Sequence, residues 1–359
     1  GVIVAVAQNS DWPEDQLRPA SEILRDLPPL SPHFLSLCEF AARYYQAPPG
    51  EALLQALPAG LKRLSSPVRR AGRRNRVPHP AAVPDLTADQ RVAVSAIQSA
   101  AGFVPWLLHG ITGSGKTEVY LRLIEATLAA GRQALVLVPE INLTPQLEFR
   151  VRARFPAAIV VALHSELAEA ARERHWRAAQ AGEAAIVLGT RLAVFTPMPD
   201  LGLIVVDEEH DPSFKQQDGM RYSARDVAIF RAQQAGIPVV LGSATPALES
   251  WANARAGRYR LLTLAQRAVP DAKLPTVTLV DSRRETLKEG IGAALEAALA
   301  ERLERGEQSL VFLNRRGYAP VLACAACGWL SRCHRCAANL VLHQADRRLR
   351  CHHCGFEAR

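Results

Sequence analysis

The sequence has no apolar run long enough to cross a membrane. Apolar stretches such as Gln133 to Val138 and Leu203 to Val206 stop far short of the about 20 residues that a helical span requires, and read as buried strands. A basic-then-apolar leader is missing from the start of the chain, which argues against secretion. Cysteine is not spread as a disulfide framework. Of the seven present, all but Cys38 fall in pairs near one end, which places the protein in a reducing cytoplasm, with no membrane partner. Acidic residues are absent from Lys62 to Pro84, where Arg63, Arg69, Arg70, Arg73, Arg74 and Arg76 are interleaved with prolines. Such a composition buries no core and reads as a basic linker. Internal repeats are absent as well. Residue 1 is Gly and not an initiator Met, so we expect the chain to begin inside a longer reading frame.

What is present supports a folded, nucleic-acid-facing protein. With 359 residues, 48% of them apolar, the chain can build two or three domains. Lys and Arg number 43 against 35 Asp and Glu, a formal charge of +8. That balance suits a polyanionic partner, although an ordinary basic enzyme has it too. Residues 1–60 open on alternating Val2, Val4 and Val6 and continue with Phe34, Leu37, Cys38, Ala41 and Tyr44 at helical spacing between Pro32 and Tyr45, part of a small domain. After the linker at 61–85, apolar runs at Trp106–Leu108, Ala134–Val138, Ala185–Leu188, Leu203–Val206 and Val239–Leu241 alternate with helical stretches across 86–265. That is the rhythm of a parallel sheet with crossover helices. A second α/β lobe is expected to open over 266–323, with strands at Thr276–Val280 and Leu310–Leu313 around a helix at Ile291–Arg305. The cysteine-rich module occupies 324–359.

Gly110-x-x-x-x-Gly115-Lys116-Thr117 follows an apolar run and precedes a helical stretch, Glu118 to Ala130, the context that a phosphate-binding loop requires. Gly110, Gly113 and Gly115 let the chain curl so that backbone N–H groups, among them those of Thr112 and Ser114, point inward. The following helix N-terminus adds partial positive charge, and Lys116 reaches the β and γ phosphates of ATP. Thr117 then ligates Mg²⁺. Leu203–Val206 runs straight into Asp207-Glu208-Glu209-His210, at a strand's C-terminal mouth, where α/β sheets bind ligands. Asp207 is the candidate Mg²⁺ partner, and Glu208 the candidate for orienting and deprotonating the attacking water. Pro139–Gln146, Gly189-Thr190-Arg191 and Gly242-Ser243-Ala244-Thr245 lie at further strand ends. Their hydroxyls and N–H groups suit DNA phosphates, which a motor grips without reading sequence.

Cys324-x-x-Cys327, Cys333-x-x-Cys336 and Cys351-x-x-Cys354 have the knuckle spacing that turns both sulfurs of a pair toward one tetrahedral ion. Four thiolates complete one structural Zn²⁺ site, and one pair is left over. Cys333, Cys336, Cys351 and Cys354 fit a ribbon-like or treble-clef site. His334, His343, His352 and His353 are alternative ligands, and a thiol-redox pair is the competing chemistry.

GITGSGKTEVY at Gly110–Tyr120, VPEINLTPQ at Val138–Gln146, IVVDEEHD at Ile204–Asp211, Phe214-Lys-Gln-Gln217 with Arg221-Tyr-Ser-Ala-Arg225-Asp226, GSATPALES at Gly242–Ser250 and FLNRRGYAP at Phe312–Pro320 carry a family resemblance. The chain resembles the primosomal protein N′ (PriA) family of replication-restart superfamily 2 DNA helicases. The resemblance implies an α/β fold: a RecA-like parallel-sheet lobe, a partial second lobe, a cysteine-rich zinc insertion and the later part of an N-terminal domain that grips a 3′ end of DNA. It implies ATP-dependent 3′-to-5′ unwinding, recognition of stalled forks and primosome assembly, with forked DNA, single-stranded-DNA-binding protein and primosome proteins as partners and a nucleoid-associated location. By the same resemblance Gln90 contacts adenine, His210 couples hydrolysis to DNA, and Phe214 and Tyr222 belong to an aromatic loop that senses single strands, with ordinary packing under a loop as the alternative for those two rings. Cys324 and Cys327 would pair with a further Cys-x-x-Cys that does not occur here, so a second zinc site lacks two ligands. A winged-helix domain is not recognisable in the linker, and the second lobe's later motifs, with their arginines for the γ-phosphate, do not occur either. We therefore expect this chain alone to hydrolyse ATP poorly, since an arginine finger is worth about 10³ to 10⁵ in rate. The alternative is a non-catalytic fork-binding scaffold, against which intact Lys116, Asp207 and Glu208 weigh.

Overall fold

The computed structural model describes residues 2–4, 6–9, 13–20, 23, 28–62, 83–139, 144–268, 276–281, 284, 287, 290–312, 321–322, 324, 326–336, 338–343, 348–352 and 354–358. The basic linker from Arg63 to Ala82, Glu140–Leu143 of the VPEINLTPQ segment, residues 313–320 and His353 lie outside the described residues. The chain divides into two compact units, 1–272 and 273–359.

The first unit is organised by a seven-stranded sheet in which every pairing is parallel. Its strands are β1 (Pro105–Gly110), β2 (Gln133–Leu137), β3 (Val160–Leu163), β4 (Ile186–Gly189), β5 (Leu201–Asp207), β6 (Val239–Ser243) and β7 (Arg260–Leu264), in the spatial order β3-β4-β2-β5-β6-β1-β7. Alternate side chains serve two cores. Leu107, Leu135, Leu137, Ile204, Val206 and Leu241 face one, while Leu108, Val136, Leu203, Val205 and Val240 face the other. Burial on both faces is why these strands appear in the sequence as unbroken apolar runs. Of the two edge strands, β7 keeps all but Leu264 out of the core and so shows no apolar run, whereas β3 lies within the apolar stretch Ala157–Leu163 and was open to the same reading.

Helices fill both faces. α3 (Ala88–Ser99) and α4 (Lys116–Ala129) bury Ala93, Ile97, Val119, Tyr120, Leu123 and Ile124 in one core. On the other face, α7 (Ala224–Ala235) starts at the Ser223 cap, whose hydroxyl accepts from the Asp226 N–H, and ends at Gly236 in the left-handed conformation. α1 (Pro32–Tyr44), capped by Ser31, and α2 (Pro49–Ala56) share that core. Phe34, Leu37, Cys38, Ala41 and Ala52 join Phe195, Val227 and Ala228, and the Phe40 and Phe230 rings stack at 3.6 Å. The helical spacing over Pro32–Tyr45 thus marks a face buried against α7. The alternating valines form no strand, and Val4 and Val6 are exposed. α5 (Thr144–Arg154), α6 (Glu169–Gln180) and α8 (Leu248–Arg255) complete the unit.

In the second unit, α9 (Ala293–Glu304) falls within the predicted helix. The expected strands do not form over the described residues 276–281 and 310–312, where Leu279 and Leu310 are 93% and 97% exposed. A strand without a neighbour to take its hydrogen bonds has nothing to hold it. Toward the C-terminus β8 (Val341–His343), β9 (Arg348–Arg350) and β10 (Glu357–Ala358) form a small antiparallel sheet. Among the described residues, no helix is long and apolar enough to cross a membrane.

Candidate nucleotide and zinc sites

The loop between β1 and α4 forms a cradle. Gly113 and Gly115 have φ of 82° and 80°, a left-handed curl that L side chains rarely adopt, and a Cβ on Gly115 would strike the Gln90 amide. α4 begins at Lys116, so its free N–H groups and dipole face the curl, as anion binding requires. Lys116 Nζ donates to the Gly110 carbonyl at 3.0 Å and lies 3.9 Å from the Glu208 carboxylate. The chain leaving β7 covers the loop from the other side, where the Ala268 N–H donates to the Gly113 carbonyl at 2.9 Å and Arg267 lies beside Gly113.

Gln90 is 2% exposed, and its amide braces this loop. Its oxygen accepts from the Thr87 N–H at 2.9 Å, completing the capping box of α3, while its nitrogen donates to the Ser114 carbonyl at 2.9 Å. The structure places Gln90 against the loop backbone, in the position of a brace.

Asp207 ends β5 beside Gly242 of β6. The Tyr120 hydroxyl donates to Asp207 Oδ1 at 3.0 Å, and the Glu208 N–H donates to the same oxygen at 3.1 Å. Gly242 makes the first contact possible, since a Cβ there would run into the Tyr120 hydroxyl. Burial, reinforced by the neighbouring Glu208 charge, holds the Asp207 carboxyl above the usual range in spite of Lys116 and Tyr120. A buried carboxylate short of positive charge fits a divalent cation.

Glu208 has φ of 47°, rare for a residue with a Cβ, and this turn brings its carboxylate back toward Lys116 and to 3.6 Å from His210 Nδ1. His210 Nδ1 lies 2.7 Å from Ser243 Oγ, and its Nε2 lies 3.3 Å from Thr245 Oγ1. The Asp-Glu-Glu-His run and the Gly-Ser-Ala-Thr run, on neighbouring strands, are thereby joined.

Sequence reasoning missed two members of this site. Tyr120 stands four residues after Lys116, hence on the same face of α4, and that spacing was the signal available. Glu209 was given no role of its own, yet its side chain is fully buried. It accepts from Arg225 at 3.1 Å, from the Ala247 N–H at 2.8 Å and from Ser250 Oγ at 2.8 Å, tying β5 to α7 and α8. One expectation is overturned. Phe214 and Tyr222 are 2% and 0% exposed, and Tyr222 packs edge-on against Phe195, so neither ring has a free face on which to stack a base.

The described part of the second unit holds one cluster of metal-ligating side chains. The sulfurs of Cys333, Cys336, Cys351 and Cys354 all lie within 4.8 Å of one another, with Cys333 to Cys354 at 3.5 Å and Cys336 to Cys351 at 3.4 Å. A tetrahedron of about 2.3 Å Zn–S bonds has edges of about 3.8 Å, so the set fits a structural Zn²⁺ ion. Cys324 and Cys327 make a knuckle of their own, in which the Cys324 N–H donates to the Trp329 carbonyl and the Gly328 N–H to the Cys324 carbonyl, each at 2.8 Å. N–H groups led by that of Cys327 hold the Cys324 thiol below its usual range. No third ligand joins this pair among the described residues. His343 and His352 lie apart from the four-sulfur cluster and face each other, Nε2 to Nε2, at 3.0 Å.

A parallel sheet with a glycine-curled loop ahead of a helix at one strand end and an Asp-Glu-Glu-His run at another has the arrangement of a RecA-like lobe. Residues 87–253 match the DEAD/DEAH box helicase family, 1–58 match a 3′DNA-binding domain (3′BD) of PriA, and 333–359 match the PriA DNA helicase Cys-rich region. The chain is 48% identical over 272 residues to the replication restart protein PriA of Haemophilus influenzae, covering 76% of this chain and 37% of that protein. With the PriA of Bacillus subtilis it shares 45% over 279 residues, and with that of Rickettsia conorii 37% over 327 residues, covering 90% of this chain and 49% of the relative. Among solved structures it is similar to RecG bound to a three-way DNA junction, with 23% identity and a TM-score of 0.46 over 62% of this chain and 28% of that one. The chain belongs to the PriA family of replication restart proteins. It spans about a third to a half of the length of these relatives.

Proposed function

We propose that this chain carries the nucleotide cradle of an ATP-dependent 3′-to-5′ DNA helicase that recognises stalled replication forks and initiates primosome assembly. The observation that supports this most is the convergence of Lys116, Tyr120, Asp207 and Glu208 at the mouths of β1 and β5. In this reading Lys116 and the loop N–H groups hold the β and γ phosphates, Thr117 and Asp207 hold Mg²⁺, and Glu208 orients and deprotonates the attacking water. His210 passes the state of the cradle to Ser243 and Thr245, and Gln90 contacts adenine from its place beside Gly115. Cys333, Cys336, Cys351 and Cys354 hold one structural Zn²⁺, and Cys324 with Cys327 supplies half of a second site. Forked DNA with a single-stranded 3′ end is the substrate. Single-stranded-DNA-binding protein and primosome proteins are the partners, in the nucleoid-associated cytoplasm. We also propose that this chain by itself hydrolyses ATP slowly, because an arginine reaching across from a second lobe contributes about 10³ to 10⁵ in rate.

Lys116→Ala in the full-length protein tests the reading. DNA-stimulated ATP hydrolysis should be abolished, while fork affinity should stay within about twofold because DNA phosphates are held elsewhere. Equal loss of both would break the separation. Tight fork binding by the unsubstituted protein without DNA-stimulated hydrolysis would favour the scaffold.

A further inference from the structure

Tyr120 is buried where three elements of the cradle meet. It stands four residues after Lys116 on α4, is 1% exposed, and its ring belongs to the core on that face of the sheet. A buried tyrosine hydroxyl usually finds a partner, and this one donates to Asp207 Oδ1 at 3.0 Å and, among the described residues, to nothing else. The space for it comes from β6. Gly242 pairs with Asp207 across β5 and β6, and a Cβ at Gly242 would overlap the hydroxyl and come within 2.8 Å of the ring carbon that bears it. The Glu209 N–H donates to the Gly242 carbonyl at 3.0 Å, so the two strand ends that flank the hydroxyl are tied to each other. A phenol is seated here by a position on α4, a carboxylate at one strand end and a glycine at the next.

What the hydroxyl does follows from the oxygen it holds. A carboxylate has two oxygens with about four lone-pair directions between them. Both hydrogen bonds to Asp207, from Tyr120 and from the Glu208 N–H at 3.1 Å, fall on Oδ1, and Oδ2 accepts none among the described residues. The side chain is thereby fixed by one oxygen and offers the other. A neutral donor suits this place, since a lysine or arginine would fix Asp207 equally well but cancel the charge that a cation needs. Burial, reinforced by the Asp207 and Glu208 charges, holds the Tyr120 hydroxyl well above its usual range, so it stays protonated and keeps donating at neutral pH.

We propose that Tyr120 is a positioning residue for the nucleotide's Mg²⁺: by holding Asp207 Oδ1 it keeps Oδ2 in place as the oxygen that meets the cation or a water of its shell. The inference rests on the nucleotide reading of the cradle. It assigns Tyr120 to the cation and not to the phosphates, which fall to Lys116 and the loop N–H groups. Partners hydrogen-bonded behind a metal-ligating carboxylate typically contribute about 10- to 100-fold to metal affinity.

Tyr120→Phe in the 359-residue chain removes the hydroxyl and keeps the ring. Binding of a fluorescent ATP analogue is titrated in EDTA and at stepped Mg²⁺ concentrations, and Mn²⁺ bound in the presence of the same analogue is counted by electron paramagnetic resonance. Affinity in EDTA should stay within about twofold, whereas the Mg²⁺ midpoint and the Mn²⁺ dissociation constant should rise by about 10- to 100-fold. A purely structural role would lower the melting temperature and weaken binding alike with and without metal. That result would overturn the proposal, as would an unchanged Mg²⁺ midpoint. A measurement without any variant stands beside this one and serves if Tyr120→Phe does not fold. With the six tyrosines replaced by 3-fluorotyrosine, one fluorine resonance should move when Mg²⁺ joins the bound nucleotide and stay in place when nucleotide binds in EDTA. No Mg²⁺-dependent shift would overturn the proposal alone. Binding that ignores Mg²⁺ in the unsubstituted chain would remove the nucleotide reading together with it.

Discussion

Asp207 is built against its own comfort. It ends a buried strand beside another carboxylate, and its partners are a tyrosine hydroxyl, a backbone N–H and a lysine already bonded to Gly110. Glu209, two residues on, is the opposite case, a buried acid with every hydrogen bond satisfied. Glu209→Ala removes the buried one of the two anions facing Arg225, leaving it only Asp226, and orphans the Ala247 N–H and Ser250 hydroxyl. Unfolding by urea should show a loss of about 3–5 kcal/mol, with the midpoint displaced and the slope unchanged. A loss below about 1 kcal/mol would mean that the linkage to α7 and α8 is worth no more than an exposed ion pair. At this scale the sequence was legible where spacing dictates chemistry, as at Lys116 and Asp207. It was not legible where tertiary packing decides, because nothing in the order Asp-Glu-Glu-His says that the middle carboxylate is the buried one.

Among elements, the five central strands could be read because burial on both faces leaves unbroken apolar runs. The helical spacing of α1 was also legible, although not the face of α7 that it covers. β3 and β7 were not recognised, and with β7 went the chain at Ala265–Ala268 that closes over the phosphate loop. The zinc ribbon was legible from its knuckle spacing alone. Since α9 and the ribbon's small sheet bury little, the four-sulfur site should carry the ribbon's order. Stripping metal with a strong chelator should release one equivalent of Zn²⁺ bound by Cys333, Cys336, Cys351 and Cys354 and open the β8–β9 amides to hydrogen exchange, with the β1–β7 sheet unaffected. Retained protection after metal loss would show that packing suffices.

α6 offers a pH test at the same scale. His175 Nδ1 donates to the Ala162 carbonyl of β3 at 2.7 Å. Burial, with Arg174 and Arg152 nearby, holds its imidazolium below the usual range in spite of that bond. A folded-state pKa depressed below the unfolded value of about 6.5 means that the stabilisation is fully present above that pH and is lost as pH falls through the folded value. The melting temperature should therefore drop on acidification below about pH 6.5 more steeply in the unsubstituted chain than in His175→Gln. Equal slopes would contradict the half-buried imidazole with its lowered pKa.

The first of the two units is built on a parallel sheet whose carboxyl edge carries two separate features, the phosphate cradle at β1 and β5 and a cavity at β2, β3 and β4. The +8 charge of the whole sequence, to which Lys62, Arg63, Arg69, Arg70, Arg73, Arg74 and Arg76 contribute with no acid among them, favours a polyanionic partner. The proposed function requires the cradle to bind nucleotide within this lobe, with hydrolysis needing more than the lobe provides. Equilibrium titration of the chain with a fluorescent ATP analogue, with and without Mg²⁺, tests it most directly. Saturable, Mg²⁺-strengthened binding is expected, weakened by Lys116→Ala by about 10- to 100-fold, the value of one charge-assisted hydrogen bond, with little turnover of the bound nucleotide. Binding that ignores both Mg²⁺ and Lys116→Ala would contradict it.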